Sequence, residues 1–133
     1  MKRSALPSLV SAAILATSAA AAPAREEARA FPPSMIGTWG YEARSCIEES
    51  DDGRVEVTAR SVTFFASSCS IGRFRSDRDG TVTGHGRCRG EGETTTERGS
   101  VRLRLEGPTS LVVALNGGDN TRYQHCERPL PVR

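Results

Sequence analysis

Residues 69–88, Cys69-Ser-Ile-Gly-Arg-Phe-Arg-Ser-Asp-Arg-Asp-Gly-Thr-Val-Thr-Gly-His-Gly-Arg-Cys88, place a turn between two strand-like arms that each end in a cysteine. With Asp77-Arg78-Asp79-Gly80 at the turn and Ser76 opposite Thr81, counting outward brings Cys69 opposite Cys88. Side chains at such a cross-strand position lie close enough to be bridged. Val82, Gly84, Gly86 and Cys88 share one face of the second arm; Thr83, His85, Arg87 and Arg89 share the other. On the first arm Phe74 has the opposite parity to Cys69 and Ile71. An inward Phe74 therefore requires a bulge near Gly72, Gly84 or Gly86, and the bridge survives a one-residue change of register.

Residues 1–24 have the three regions of a secretory signal: Lys2 and Arg3, an apolar run over Leu6–Ala16, and the small-residue tract Ser18–Ala22. The apolar run is too short for a stable membrane anchor. The remaining 109 or so residues suffice for one small domain. They carry 16 arginines, no lysine and 16 acidic residues, a balance that argues against a nucleic-acid binder relying on bulk charge. All four cysteines (Cys46, Cys69, Cys88, Cys126) lie in this exported part, and none forms a C-x-x-C pair. Such a framework reads as disulfides, and the expected pairs are Cys69–Cys88 and Cys46–Cys126. The expected location is periplasmic or secreted.

Beyond the leader, residues 25–34 read as a flexible lead-in, 35–128 as a single domain and 129–133 as a loose tail. Met35–Tyr41 holds the only tryptophan. Arg54–Arg60 alternates, with Val55, Val57 and Ala59 on one face, and Ser61–Ala66 is strand-like. Residues 89–99 are polar and glycine-rich, a hairpin tip or a strand running into one. Val101, Leu103 and Leu105, and then Leu111, Val113 and Leu115, alternate in the period of half-buried strands. Asn116–Asn120 turns into Thr121–Cys126. No extended helical period follows the leader. Seven or eight short strands in consecutive hairpins predict an all-β antiparallel barrel or sandwich with up-and-down order, its thin core braced by two bridges.

Gly37-Thr38-Trp39 on the first strand, followed by a meander, resembles the lipocalin-like (calycin) barrels. That resemblance implies a Trp39 that closes one barrel end. The wider pattern is similar to that of small exported proteins of Gram-negative bacteria. It comprises Gly37-Thr38-Trp39, Cys46, Ser67-Ser68-Cys69-Ser70-Ile71, Cys88-Arg89-Gly90-Glu91-Gly92 and Tyr123-Gln124-His125-Cys126. This chain is shorter than a true lipocalin and lacks a convincing C-terminal helix, so a carrier role does not transfer with the pattern.

Candidate chemistry is sparse. His85 and His125 belong to no nucleophile motif, so the chain is expected not to be an enzyme and to need no cofactor. The run Glu48-Glu49-Ser50-Asp51-Asp52-Gly53 lacks the spacing of a calcium loop and reads as a solvated turn; no metal site is expected. Glu91 and Glu93 would share a strand face with Arg87 and Arg89 and pair with them. The most suggestive surface is the arginines at two-residue spacing: Arg73 and Arg75, Arg87 and Arg89, Arg102 and Arg104. If their strands are neighbours, one face presents six guanidinium groups able to grip carboxylates or phosphates. The simpler account is a solvent face laced with Glu91, Glu93, Glu97 and Glu106.

The leading expectation is a non-enzymatic binding or inhibitory module, monomeric, acting through the arginines and Trp39 on a protein or other anionic partner. It involves no nucleic acid and no stable membrane anchor. The alternative is a lipocalin-like carrier of a small apolar ligand, which requires an internal cavity near Trp39, Gly84 and Gly86.

Overall fold

The computed structural model describes residues 12–14, 16 and 28–126. The expected cleavage region and the tail 129–133 lie outside the described residues. Eight strands follow one another: β1 (Gly37–Gly40), β2 (Arg54–Val57), β3 (Ser61–Thr63), β4 (Ser67–Ser76), β5 (Val82–Gly90), β6 (Glu97–Leu105), β7 (Ser110–Leu115) and β8 (Thr121–His125). Each pairs antiparallel with the next, and β1 returns to β8, so the sheet is a closed barrel. Of the two architectures expected, the barrel is the one adopted.

The β4–β5 hairpin is its longest wall, and Cys69 pairs with Cys88 within it. The turn is one residue looser than expected: Ser76 pairs with Val82, while Asp77 donates its N–H to the Thr81 carbonyl at 2.8 Å. A bulge between Ile71 and Arg73 takes up the extra residue at Gly72 and restores the cysteine register. It also turns Phe74 inward, as the parity argument required. Gly86 marks the tightest point, since a Cβ there would overlap the Ser70 carbonyl oxygen.

Closure at β1–β8 rests on only two register pairs, Trp39 with His125 and Gly40 with Gln124. The Cys46–Cys126 bridge reinforces this seam from a 3-10 turn, Ala43–Cys46, that follows β1. The Cys126 N–H also donates to the Thr38 carbonyl at 2.9 Å. A side chain at Gly40 would come within 2.8 Å of the Cys46 sulfur, so glycine gives the bridge its passage. A bridge spanning 80 residues stabilises by about 4–5 kcal/mol in the chain-entropy account.

The core unites Trp39, Val55, Val57, Val62, Ile71, Phe74, Val82, Val101, Leu103, Leu111 and Val113. Ala59, expected beside Val55 and Val57, is instead exposed in the β2–β3 turn, because β2 ends at Val57. The lead-in needs a larger correction. Phe31 is 2% exposed, meets Phe74 edge-on at 5.0 Å and donates its N–H to the Ala59 carbonyl at 2.8 Å. A 3-10 turn, Pro33–Met35, then buries Met35 and offers its carbonyl to Trp39 Nε1 at 3.0 Å. The charged half of the lead-in distracts from this. With few aromatics available, the barrel uses Phe31 and Met35 as a plug.

Candidate functional site

Outward positions on β4 to β8 follow from the ladder: Ser68, Ser70, Arg73 and Arg75 on β4, then Thr83, His85, Arg87 and Arg89 on β5. They continue with Arg98, Ser100, Arg102 and Arg104 on β6, Ser110, Val112 and Ala114 on β7, and Arg122 and Gln124 on β8. Eight of these are arginines and none is acidic. The three strands carrying the expected arginine pairs are consecutive neighbours, and all six expected arginines leave the same wall. Two more belong with them. Arg98 lies in the stretch read as a hairpin tip or a strand running into one; β6 takes it as strand, and the alternation of Val101, Leu103 and Leu105 runs back through Gly99 to expose it. Arg122 shares a face only because β8 lies beside β7.

These arginines have different duties. Arg102 stands between Thr83 and Ala114, and Arg104 and Arg122 flank Val112. Those three neighbours are buried despite pointing away from the core, covered by long side chains whose methylenes are apolar. Glu106 pairs with Arg104 at 3.0 Å and also with Arg122. Arg75 meets Asp77 at 3.7 Å, and Arg102 reaches Asn120 Oδ1 at 3.4 Å. This part of the wall is structural.

Arg73, Arg87, Arg89 and Arg98 differ. Arg73 stands opposite His85, and Arg87 stands opposite Arg98, with Arg89 two residues along β5. All are exposed, and no carboxylate pairs with them among the described residues. Arg87 is held in place by Nε donating to Thr96 Oγ1 at 2.7 Å and Nη2 to the Thr96 carbonyl at 3.0 Å. Alternate residues on a strand are about 6.7 Å apart and neighbouring strands about 4.8 Å, so four guanidinium groups share a small area. Like charges directly opposite are unfavourable, which makes the Arg87–Arg98 pair a site of unrelieved positive potential.

Of the carboxylates expected to lace this face, Glu106 does so through Arg104 and Arg122, whereas Glu91, Glu93 and Glu97 lie elsewhere. Glu91 and Glu93 are not on a strand, because β5 ends at Gly90 and Gly92 takes a positive φ of 75°. Glu93 instead accepts the Gly90 N–H at 3.1 Å, and Glu97 takes the inward parity opposite Cys88. In the other acidic run, Asp51 turns inward, accepting from Ser45 Oγ at 2.7 Å and from the Gly53 N–H at 2.8 Å. The Ser45 hydroxyl first, then the Gly53 amide, and finally the Arg44 charge hold its carboxyl below the usual range against the opposing effect of burial. Among the described residues no three His, Cys, Asp or Glu side chains gather as a metal would need.

His125 stacks edge-on against Trp39 at 4.8 Å, and His85 stands among arginines. Trp39 is fully buried and presents nothing to a surface partner. The room that Gly84 was expected to leave is occupied, since a Cβ there would lie 2.7 Å from Ile71 Cγ2 and 3.3 Å from Phe31 Cζ.

At one end of the wall a hollow of about 380 Å³ opens between the β3–β4 and β5–β6 turns. Thr63, Phe65, Ser67, Ser68, Arg89 and Glu91 are among its lining residues, and Phe65 is 54% exposed. Ser61–Ala66 is strand-like by composition, but β3 ends at Thr63 and the turn after it sends Phe65 outward. No family model, curated protein or solved structure matches the chain.

Proposed function

We propose that the protein is an exported, non-enzymatic binding module whose β4–β6 wall holds an anionic macromolecule outside the cytoplasm. The carrying observation is the unneutralised cluster of Arg73, Arg87, Arg89 and Arg98 on strands with no outward carboxylate. Arginine is suited to this because its fork matches carboxylate or phosphate oxygens in pairs. A disulfide-braced barrel lowers the ordering cost of binding, and Arg87 is already oriented by Thr96. Two disulfides suit an oxidising compartment, in keeping with the signal-like leader. No described helix is long and apolar enough to cross a membrane.

Gly37-Thr38-Trp39 on β1, with Trp39 capped by the Pro33–Met35 turn, supports describing the barrel as lipocalin-like in architecture. A carrier of apolar ligands has less support, because Phe31, Met35 and Ile71 occupy the space such a ligand would need.

The test is salt-dependent retention of the oxidised domain on immobilised polyphosphate, polyglutamate and polygalacturonate. Native protein is retained on at least one, and the triple variant Arg73→Gln, Arg87→Gln, Arg98→Gln elutes at distinctly lower salt. Equal elution of the two proteins on every column would refute the proposal.

A further inference from the structure

Resting on the anionic-partner reading, we infer that the partner is a linear acidic polysaccharide. One uronate-type sugar sits in the hollow beside Phe65, and the chain continues over Arg87 and Arg98. The wall and the hollow together select this chemistry. The wall offers guanidinium groups interleaved with hydroxyls (Ser68, Ser70, Ser100 and Thr96), and its outward positions on β4 to β8 hold no Phe, Tyr or Trp, His85 being the one aromatic ring among them. A single-stranded nucleic acid is gripped by successive aromatic platforms, which this track lacks. A protein partner seats aromatic or aliphatic anchors in a dry centre, and the centre here is charged.

The hollow supplies what a sugar ring needs and a bare polyanion does not. Phe65 presents a half-exposed apolar ring, against which the C–H face of a pyranose packs. Ser67, Ser68 and Thr63 offer hydroxyls, and Arg89 offers a fork for a ring carboxylate. Glu91 and Glu93 line the same hollow. Such carboxylates accept hydrogen bonds from the neutral hydroxyls of a sugar, which leaves Arg89 as the partner for its ring carboxylate. At about 380 Å³ the hollow falls within the range of small-ligand clefts, about 300–1,000 Å³. Arg89 belongs to both the hollow and the wall, so a chain seated in one is led onto the other.

The experiment uses the oxidised full domain and calorimetric titration with oligogalacturonate, its fully methyl-esterified counterpart, polyphosphate and single-stranded DNA. Oligogalacturonate is expected to bind, and the ester, which has the same backbone without charge, to bind about tenfold more weakly or worse. Phe65→Ala and Arg89→Gln should each weaken oligogalacturonate by about tenfold, the size of one lost stacking or charge-assisted contact. Phe65→Ala should leave any polyphosphate affinity unchanged. Binding of polyphosphate or DNA without oligogalacturonate overturns the polysaccharide assignment and leaves the anionic-partner reading standing. Failure of every polyanion here and on the columns overturns both. Oligogalacturonate affinity within twofold of native in both variants overturns the role of the hollow.

Discussion

Arg87 and Arg98 are direct register partners across β5 and β6, so two guanidinium side chains leave the wall side by side with no strand carboxylate between them. A fold selected only for stability would place an opposite charge at one of the two positions. Arg98→Glu should therefore stabilise the protein by about 0.2–1 kcal/mol, an effect that shrinks in high salt. Urea unfolding at low and high ionic strength measures it. The same substitution should weaken polyanion retention, which separates the demands of folding from those of binding.

Glycines in the β4–β5 hairpin differ in what they permit. Gly86→Ala drives a methyl group into the Ser70 carbonyl at the bulge and should cost about 2–3 kcal/mol or more. Gly72, the bulged residue, has no heavy atom within 4 Å of a built Cβ, so Gly72→Ala should stay within about 0.5 kcal/mol of native. Thermal melts of the pair test the register directly. Similar costs for both would contradict the bulge assignment.

Phe31 belongs to the barrel although it precedes β1. Phe31→Ala should cost about 3–4 kcal/mol, through lost burial and the cavity left against Phe74 and Ile71. The vacated space is apolar, so the variant should bind a small aromatic probe that the native protein does not. A melt unchanged from native would show that the lead-in is dispensable.

Acid stability should depend on Asp51. Its folded-state pKa is held below the unfolded value of about 3.9 by the Ser45 hydroxyl and the Gly53 amide. The carboxylate thus contributes fully above that unfolded value, and the contribution fades as pH falls through the lower folded value. Asp51→Asn should melt below native at neutral pH and converge with it in strong acid. Melting curves collected down through the carboxylate range check the convergence, and a constant difference would remove Asp51 from this role.

Much of the architecture was legible along the chain. Alternation at Val101, Leu103 and Leu105, and again at Leu111, Val113 and Leu115, marks strands because the side-chain period of two is local. The Cys69–Cys88 staple was also legible, because hairpin register follows from counting outward from a turn. The bulge that corrects that count was anticipated from the parity of Phe74. Phe31 was misread because its value lies in which hole it fills, and that hole exists only once Gly84 of β5 faces it.

The candidate site divides along the same line. Arg73, Arg75, Arg87, Arg89, Arg102 and Arg104 stood out by spacing alone. Which of them are committed to covering Val112 and Ala114 or to Glu106, and which are left without a carboxylate partner among the described residues, depends on side chains brought together from separate strands. Sequence by itself determined an all-β chain of short hairpins with two cystines, since turn residues, alternation and cysteine count act over a few residues at a time. Closure of the barrel, the plug over Trp39, the meeting of Arg98 with Arg87 and the placing of Phe65 and Arg89 around one hollow were decided only in three dimensions. Each depends on pairing between strands, and local periodicity carries no information about which strands become neighbours.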